Sequence, residues 1–201
     1  MNKSDQSSRR EGPMDRQFAN PSGPLGFLVG AAMAIEHRAL HKAVVERLSL
    51  DATDRVLEIG FGSGNAIKLA SGHASFVAGI ETSREMVAQA TRRNRPAIRA
   101  RKVEILRASA QAIPFPNDCF SVVFEVNSFH HWQNPGAGLA EISRVLRRGG
   151  LLLMVLRQGH SGSVMLEAQA ASEILERVGF SEIRIERHSY GHGGAFLSAR
   201  R

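Results

Sequence analysis

Glu58 closes a short apolar run and is followed at once by three alternating glycines, Gly60, Gly62 and Gly64. A second acid, Glu81, closes another apolar run seventeen residues after Gly64. Glycine turns of this kind let backbone approach a ligand closely. In open α/β sheets they lie beyond the carboxyl ends of the strands, where ligands bind. The spacing excludes a dinucleotide fingerprint. Counted from Gly60, the last glycine of G-x-G-x-x-G is met by Asn65, and counted from Gly62 it is met by Ile67. A Walker phosphate loop is excluded as well, because no Gly-Lys-Ser/Thr follows. Glu58 would repel phosphate and suits a ligand carrying an ammonium or sulfonium charge. Glu81, at the end of its strand, can accept both hydroxyls of a ribose. Together they describe a site for a nucleoside that carries positive charge.

The elements that must hold these residues can be read from hydrophobic periodicity. Near-continuous apolar runs predict strands at 56–59, 76–80, 103–106, 120–126 and 151–156. Helical patterns fall between them, near 65–70, 83–93 and 136–146, with Arg147, Arg148, Gly149 and Gly150 expected to close the last. Strands of this kind spaced by helices imply a parallel sheet covered on both faces. The end of the chain differs: a helix near 165–178, then strands at 180–188 and 195–199 around a turn at Gly191, Gly193 and Gly194. That pair is expected to form an antiparallel hairpin. Upstream, Met33, His37, Leu40, Val44 and Leu48 recur on one face of an amphipathic helix ending near Leu50. The expected organisation is a disordered tail at 1–16, a helical or lid segment at 17–50, and one α/β domain at 51–201.

Composition narrows the setting. The formal net charge is +7, and only four lysines contribute to it, so arginine dominates. A solvated basic surface accounts for this, and an anionic partner such as nucleic acid or lipid headgroups is the alternative. Cys119 is the single cysteine and has no partner for a disulfide or a Cys-based metal site, which fits a reducing, cytoplasmic location. Basic residues before Leu25 and the Ala32-Met33-Ala34 triplet imitate a signal peptide. Asp5, Glu11, Asp15, Pro21 and Pro24 argue against one.

"DRVLEIGFGSG", "VAGIETSREMVAQA", "EILRASAQAIPFPNDCFSVVFEVNSFHHW" and "GLAEISRVLRRGGLLLMV" follow one another in order. With these motifs the chain resembles the class I S-adenosylmethionine-dependent methyltransferases, within them the ubiquinone/menaquinone-biosynthesis-like type 11 group. The resemblance implies a Rossmann-like, seven-stranded, mostly parallel sheet with helices on both faces and a C-terminal antiparallel hairpin. It implies S-adenosylmethionine as cofactor, S-adenosylhomocysteine as product, and no metal. Carried over by position, Glu58, Gly60, Phe61, Gly62 and Gly64 wall the methionine and ribose. Glu81 clamps the ribose, Thr82 and Ser83 open the next helix, and Met86 touches the adenine. Ser109 and Ala110 follow the third strand, and Val126 and Asn127 lie beneath the reacting sulfonium. Two departures stand out. The family often has Gly-Asp-Ala where this chain has Ala108-Ser109-Ala110, so the adenine amino group meets a weaker acceptor. The common Ser-Phe-Asp is here Cys119-Phe120-Ser121.

Methyl transfer is an in-line displacement that asks mainly for alignment and sometimes for a base. His130 and His131 are the base candidates; the alternative is a short helix, capped by Asn127 or Ser128, in which they and Trp132 only pack. His37 and His41 have the spacing of a zinc motif, but Arg38 stands where its glutamate belongs and no third ligand is evident. Phe18 and Phe27 belong to the segment where relatives place a lid over the acceptor. The expected activity is methyl transfer to a small, partly apolar acceptor molecule. A phospholipid acceptor at an anionic membrane surface and a catalytically silent S-adenosylmethionine-binding protein are the competing readings. Nucleic acid is disfavoured, because the fourth strand ends in "EVNS" and not in Asn/Asp-Pro-Pro-Tyr/Phe. The oligomeric state is left open.

Overall fold

The computed structural model describes residues 38–157, 163–190 and 193–201. The chain divides into two units, Met1–Ala39 and Leu40–Arg201. The expected tail, most of the lid segment, Phe18, Phe27, Met33, His37 and Gly191 lie outside the described residues.

The second unit is built on one seven-stranded sheet in the order β3-β2-β1-β4-β5-β7-β6. Its strands are β1 (Arg55–Ile59), β2 (Phe76–Glu81), β3 (Val103–Arg107), β4 (Phe120–Val126), β5 (Leu146–Arg157), β6 (Ser181–His188) and β7 (Gly194–Arg200). The first five strands run parallel, and β7 runs antiparallel to both β5 and β6. The hairpin and the parallel core are therefore those the sequence pattern predicts.

The parallel strands have to be apolar on both faces, because helices cover both. On one face Leu57, Ile59 and Val123 pack with Leu139 and Ile142 of α5 (Pro135–Val145) and Leu175 of α6 (Val164–Arg177). On the other, Val56 and Phe124 pack with Val44 and Leu48 of α1 (40–48 within this unit), Ile67 of α2 (Asn65–Ala70) and Ala90 of α3 (Arg84–Arg93). Burying a side chain such as Phe124 fully contributes about 2–3 kcal/mol, so the sheet centre is the stable base for anything carried at its rim.

Helix starts follow local chemistry. Ser83 caps α3, its hydroxyl accepting from the Met86 N–H at 3.3 Å. Asn134 caps α5 through Ala137 N–H at 3.0 Å, and Pro135 follows where its missing N–H is harmless. Two elements differ from the sequence reading. A short helix α4 (Arg95–Arg99), with Pro96 in its first turn, forms inside an arginine-rich stretch that shows no apolar period. Residues 147–150 do not close α5, which ends at Val145; they belong to β5. The cause is distant in sequence: Gly149 N–H donates to the Arg201 carbonyl at 2.7 Å, and Arg201 N–H donates to the Gly150 carbonyl at 3.1 Å. The chain terminus thus draws these residues into the sheet.

Candidate functional site

β1 delivers the chain into the turn at 60–64 directly above the sheet centre, where β1 lies between β2 and β4. Gly60 has φ +69°, and a Cβ there would lie 2.4 Å from the Ser128 Cβ. Only glycine allows the turn and the segment after β4 to approach this closely. Gly62 has φ +51° with nothing within 4 Å of where its Cβ would stand. The turn is therefore packed at its base and open at its crest, where a ligand can reach the backbone. Phe61 turns its side chain into the core, leaving only its backbone in the turn.

Glu58 is buried beneath this turn, 2 % exposed, and its Oε2 has no hydrogen-bond partner. Burial pushes its carboxyl well above the ordinary range. A hydrogen bond from the Ile67 backbone opposes that rise, and the charges of Glu81 and Glu125 add to it. A buried acceptor without a donor is rare and asks for an explanation.

Glu81, at the end of β2, is fully engaged. Its Oε1 accepts from Thr82 N–H at 2.7 Å, Ser83 N–H at 3.0 Å and the Thr82 hydroxyl at 3.2 Å. Its Oε2 accepts from Gly62 N–H at 3.2 Å, so it ties the crest of the turn to the end of the neighbouring strand. Two arginines reinforce the same region: Arg93 donates to the Ser63 carbonyl and Arg107 donates to the Thr82 carbonyl at 2.9 Å. Met86 is half-buried in the first turn of α3.

The segments after β3 and β4 complete the rim. Ala108 N–H donates to the Glu81 carbonyl at 3.1 Å, placing Ser109 next to that acid's strand end. The Ser109 hydroxyl accepts from Gln111 N–H at 3.2 Å, and Ala110 is buried beneath. Val126 ends β4, and Asn127 follows with φ +56° and a buried Oδ1 that has no partner. Phe129–His131 form a single 3-10 turn that begins at Ser128, whose side chain does not cap it. Ser128 instead reaches the Ile59 carbonyl at 3.1 Å and the Glu125 carboxylate at 2.9 Å.

His130 and His131 are exposed, with ring centroids 3.9 Å apart. Desolvation first, then the charges of His131 and Arg157, hold the His130 imidazole below its ordinary value. Among the described residues no group of three or more His, Cys, Asp or Glu is placed to hold a metal ion. No described helix is long and apolar enough to cross a membrane. Cys119 is half-buried, and burial pushes its thiol up.

The departure at Ser121 does not touch this rim. Ser121 sits near the amino end of β4, where its hydroxyl donates to Asp54 Oδ1 at 2.7 Å and accepts from Arg55 N–H at 3.0 Å. The sequence reading passed over Glu125, the one acid fully buried within β4. Its only signal was a charge inside an otherwise apolar strand.

The residues present fit a cationic nucleoside. The crest at Gly62 is open, and two of the three orphaned buried oxygens among the described residues, Glu58 Oε2 and Asn127 Oδ1 (Asn94 Oδ1 is the third), are acceptors that a donor-rich ligand would satisfy.

Comparison with known proteins points the same way. A family model described as a methyltransferase domain matches residues 57–154. An uncharacterized methyltransferase of Bacillus subtilis, YdaC, is 29% identical over 126 residues, covering 62% of this chain and 67% of that one. The 27-O-demethylrifamycin SV methyltransferase of Amycolatopsis mediterranei is 36% identical over 108 residues, which span 53% of this chain and only 40% of the relative. Among solved structures, an S-adenosylmethionine-dependent methyltransferase from Aquifex aeolicus superposes with a TM-score of 0.64 at 23% identity, covering 79% of this chain and 88% of that one. At that identity the superposition speaks to the fold.

Proposed function

From a chain that belongs to the class I S-adenosylmethionine-dependent methyltransferases, we infer the transfer of a methyl group from S-adenosylmethionine to a small, partly apolar acceptor. The observation that carries this reading is the buried Glu58 carboxyl group, its Oε2 without a donor, beneath an open glycine crest. In this reading Glu58 answers the positive charge of the ligand, and Gly60, Gly62 and Gly64 give it backbone to lie against. Glu81 already gathers four donors at the right strand end, and it exchanges some of them for the ribose hydroxyls. Thr82, Met86, Ser109 and Ala110 flank the base. Val126 and the Asn127 Oδ1 form the floor beside the reacting centre.

When bound, the cofactor supplies a methyl carbon already activated by its sulfonium. The chain's task is then to align an incoming nucleophile with that carbon and to keep water away. His130, held below its ordinary value, is neutral at pH 7 and can take a proton from a hydroxyl acceptor. The name of the rifamycin relative supports a small-molecule acceptor over a polymer. A single half-buried cysteine fits a reducing, cytoplasmic setting.

The test is calorimetric titration of S-adenosylhomocysteine into the wild type and Glu81→Ala, with NAD as control. The wild type is expected to bind S-adenosylhomocysteine and not NAD, and the variant to lose about a hundredfold or more in affinity, as two or three charge-assisted hydrogen bonds disappear. Absence of binding to the wild type would overturn the reading.

A further inference from the structure

Glu125 is completely buried, yet none of the contacts proposed above uses it. Its Oε2 accepts from Ser128 N–H at 2.8 Å, the Ser128 hydroxyl at 2.9 Å and Phe129 N–H at 3.1 Å. Its Oε1 accepts from Val155 N–H on β5 at 3.1 Å. A charge in a strand core is costly unless its hydrogen bonds are complete, and here both oxygens are committed to the chain itself.

Ser128 is the second link. The serine that Glu125 grips is wedged against Gly60, close enough that a Cβ there would lie 2.4 Å from the Ser128 Cβ and 2.8 Å from its Oγ. The Ser128 hydroxyl also reaches the carbonyl of Ile59, the last residue of β1. Between Glu125 and Ser128 the chain passes through left-handed Asn127, a conformation that needs support from outside.

We infer that Glu125 is a positioning residue: its carboxyl group locks the turn at 127–129 onto Gly60 and so shapes the glycine turn that receives the nucleoside. The nucleoside part of this inference rests on the reading under Proposed function; the lock itself does not. Two backbone N–H groups converge on Oε2 and the Val155 N–H reaches Oε1, so both oxygens have to accept. A carboxamide would turn its NH2 toward one of these backbone donors, whereas the protonated acid can direct its proton to the Ser128 oxygen, whose own proton then goes to the Ile59 carbonyl. The charged groups on the neighbouring elements are Glu58 on β1, His130 and His131 on the 3-10 turn and Arg157 at the end of β5, with Arg55 of β1 and Arg147 and Arg148 of β5 toward the other end of the sheet. Burial lifts Glu125 from 4.5 to about 7 against the pull of its hydrogen bonds, so the lock is tightest on the acidic side and loosens as pH rises through about 7. Glu58 moves in the same direction, and for that reason wild type and Glu125→Gln are compared at each pH.

The experiment is amide hydrogen exchange on the ligand-free protein at pH 8 and pH 5.5, with S-adenosylhomocysteine titrated in parallel. At pH 5.5 the Gly62 and Gly64 amides of Glu125→Gln are expected to lose about tenfold in protection, with affinity falling by about the same factor. At pH 8 the gap should narrow, because the wild type then buries a charge that opening returns to water. A merely structural residue would give a ratio that does not change with pH. Equal protection at pH 5.5, or a constant ratio, would overturn the inference. If the wild type binds no S-adenosylhomocysteine, the methyl-transfer reading fails while the exchange data still decide the lock. Should Glu125→Gln not fold, Glu58→Gln takes its place: pH-dependent protection of Gly62 and Gly64 must persist in it, since Glu125 remains.

Discussion

The two ends of β1 and β4 are built on opposite principles. At the amino end every buried polar group is answered. Ser121 bridges Asp54 and Arg55, and Arg144 grips both oxygens of Glu141 while donating to the carbonyls of Ile113 and Phe115. At the carboxyl end the chain passes through left-handed Gly60, Gly62, Gly64 and Asn127, and leaves Glu58 Oε2 and Asn127 Oδ1 buried without donors. The first end is satisfied by the chain alone. The second has acceptors to spare, and a structure that leaves acceptors to spare is incomplete until a donor arrives.

The largest break in this comparison is expected from Gly60→Ala. The new methyl would overlap Ser128 and the backbone would sit at a positive φ, so the ligand-free protein should lose at least about 3 kcal/mol. S-adenosylhomocysteine binding should vanish with it. Unfolding at the wild-type temperature would mean that the two turns do not bear on each other.

Next comes the dependence of stability on pH, where the two ends should differ in sign. Glu58 and Glu125 are raised in the folded protein, so the native state holds protons that the unfolded chain has released. Their stabilisation is complete below the unfolded carboxylate range and is lost as pH rises toward about 7, the value for Glu125. For Glu125, going from 4.5 to about 7, the loss is on the order of 3 kcal/mol. Glu141 is the reverse: hydrogen bonds from Arg144 lower it, so its contribution is present above the ordinary range and lost as pH falls. The ligand-free protein should therefore melt at its highest temperature on the mildly acidic side and at progressively lower temperatures toward pH 8. Glu58→Gln should flatten the alkaline limb. Melting that is level or rising between pH 6 and pH 8 would contradict the burial of these two acids.

The same contrast explains what the sequence made legible. Strands β1 and β4, the glycine turn and Glu81 stand out because each is a local pattern: an apolar run, a spacing, an acid at a run's end. The seven-stranded sheet and its antiparallel last strand follow from such patterns. What stayed hidden depends on partners far along the chain. Residues 147–150 read as a helix end because the Arg201 backbone that pairs with them lies some fifty residues away. Glu125 read as an ordinary strand residue because its donors come from a turn and from β5. Helix α4 was missed because it buries no residue and so leaves no apolar period.

The smallest expected effect belongs to Ser121→Ala, and it is the sharpest check on whether the two ends are independent. Removing the hydroxyl leaves Asp54 Oδ1 and Arg55 N–H without that partner, which should cost about 1–2 kcal/mol in thermal unfolding. Affinity for S-adenosylhomocysteine should not change, since Ser121 lies five residues before Val126, roughly 16 Å along the strand. A parallel loss of affinity would show that strain travels the length of β4. Restoring the more common aspartate, as Ser121→Asp, should be worse than alanine. The position already faces the Asp54 carboxylate at hydrogen-bond distance, and a second buried charge there would repel it. In this chain Asp54 supplies the carboxylate and Ser121 the donor, so the departure from the family pattern is an exchange of roles at the closed end of the sheet and leaves the open end untouched.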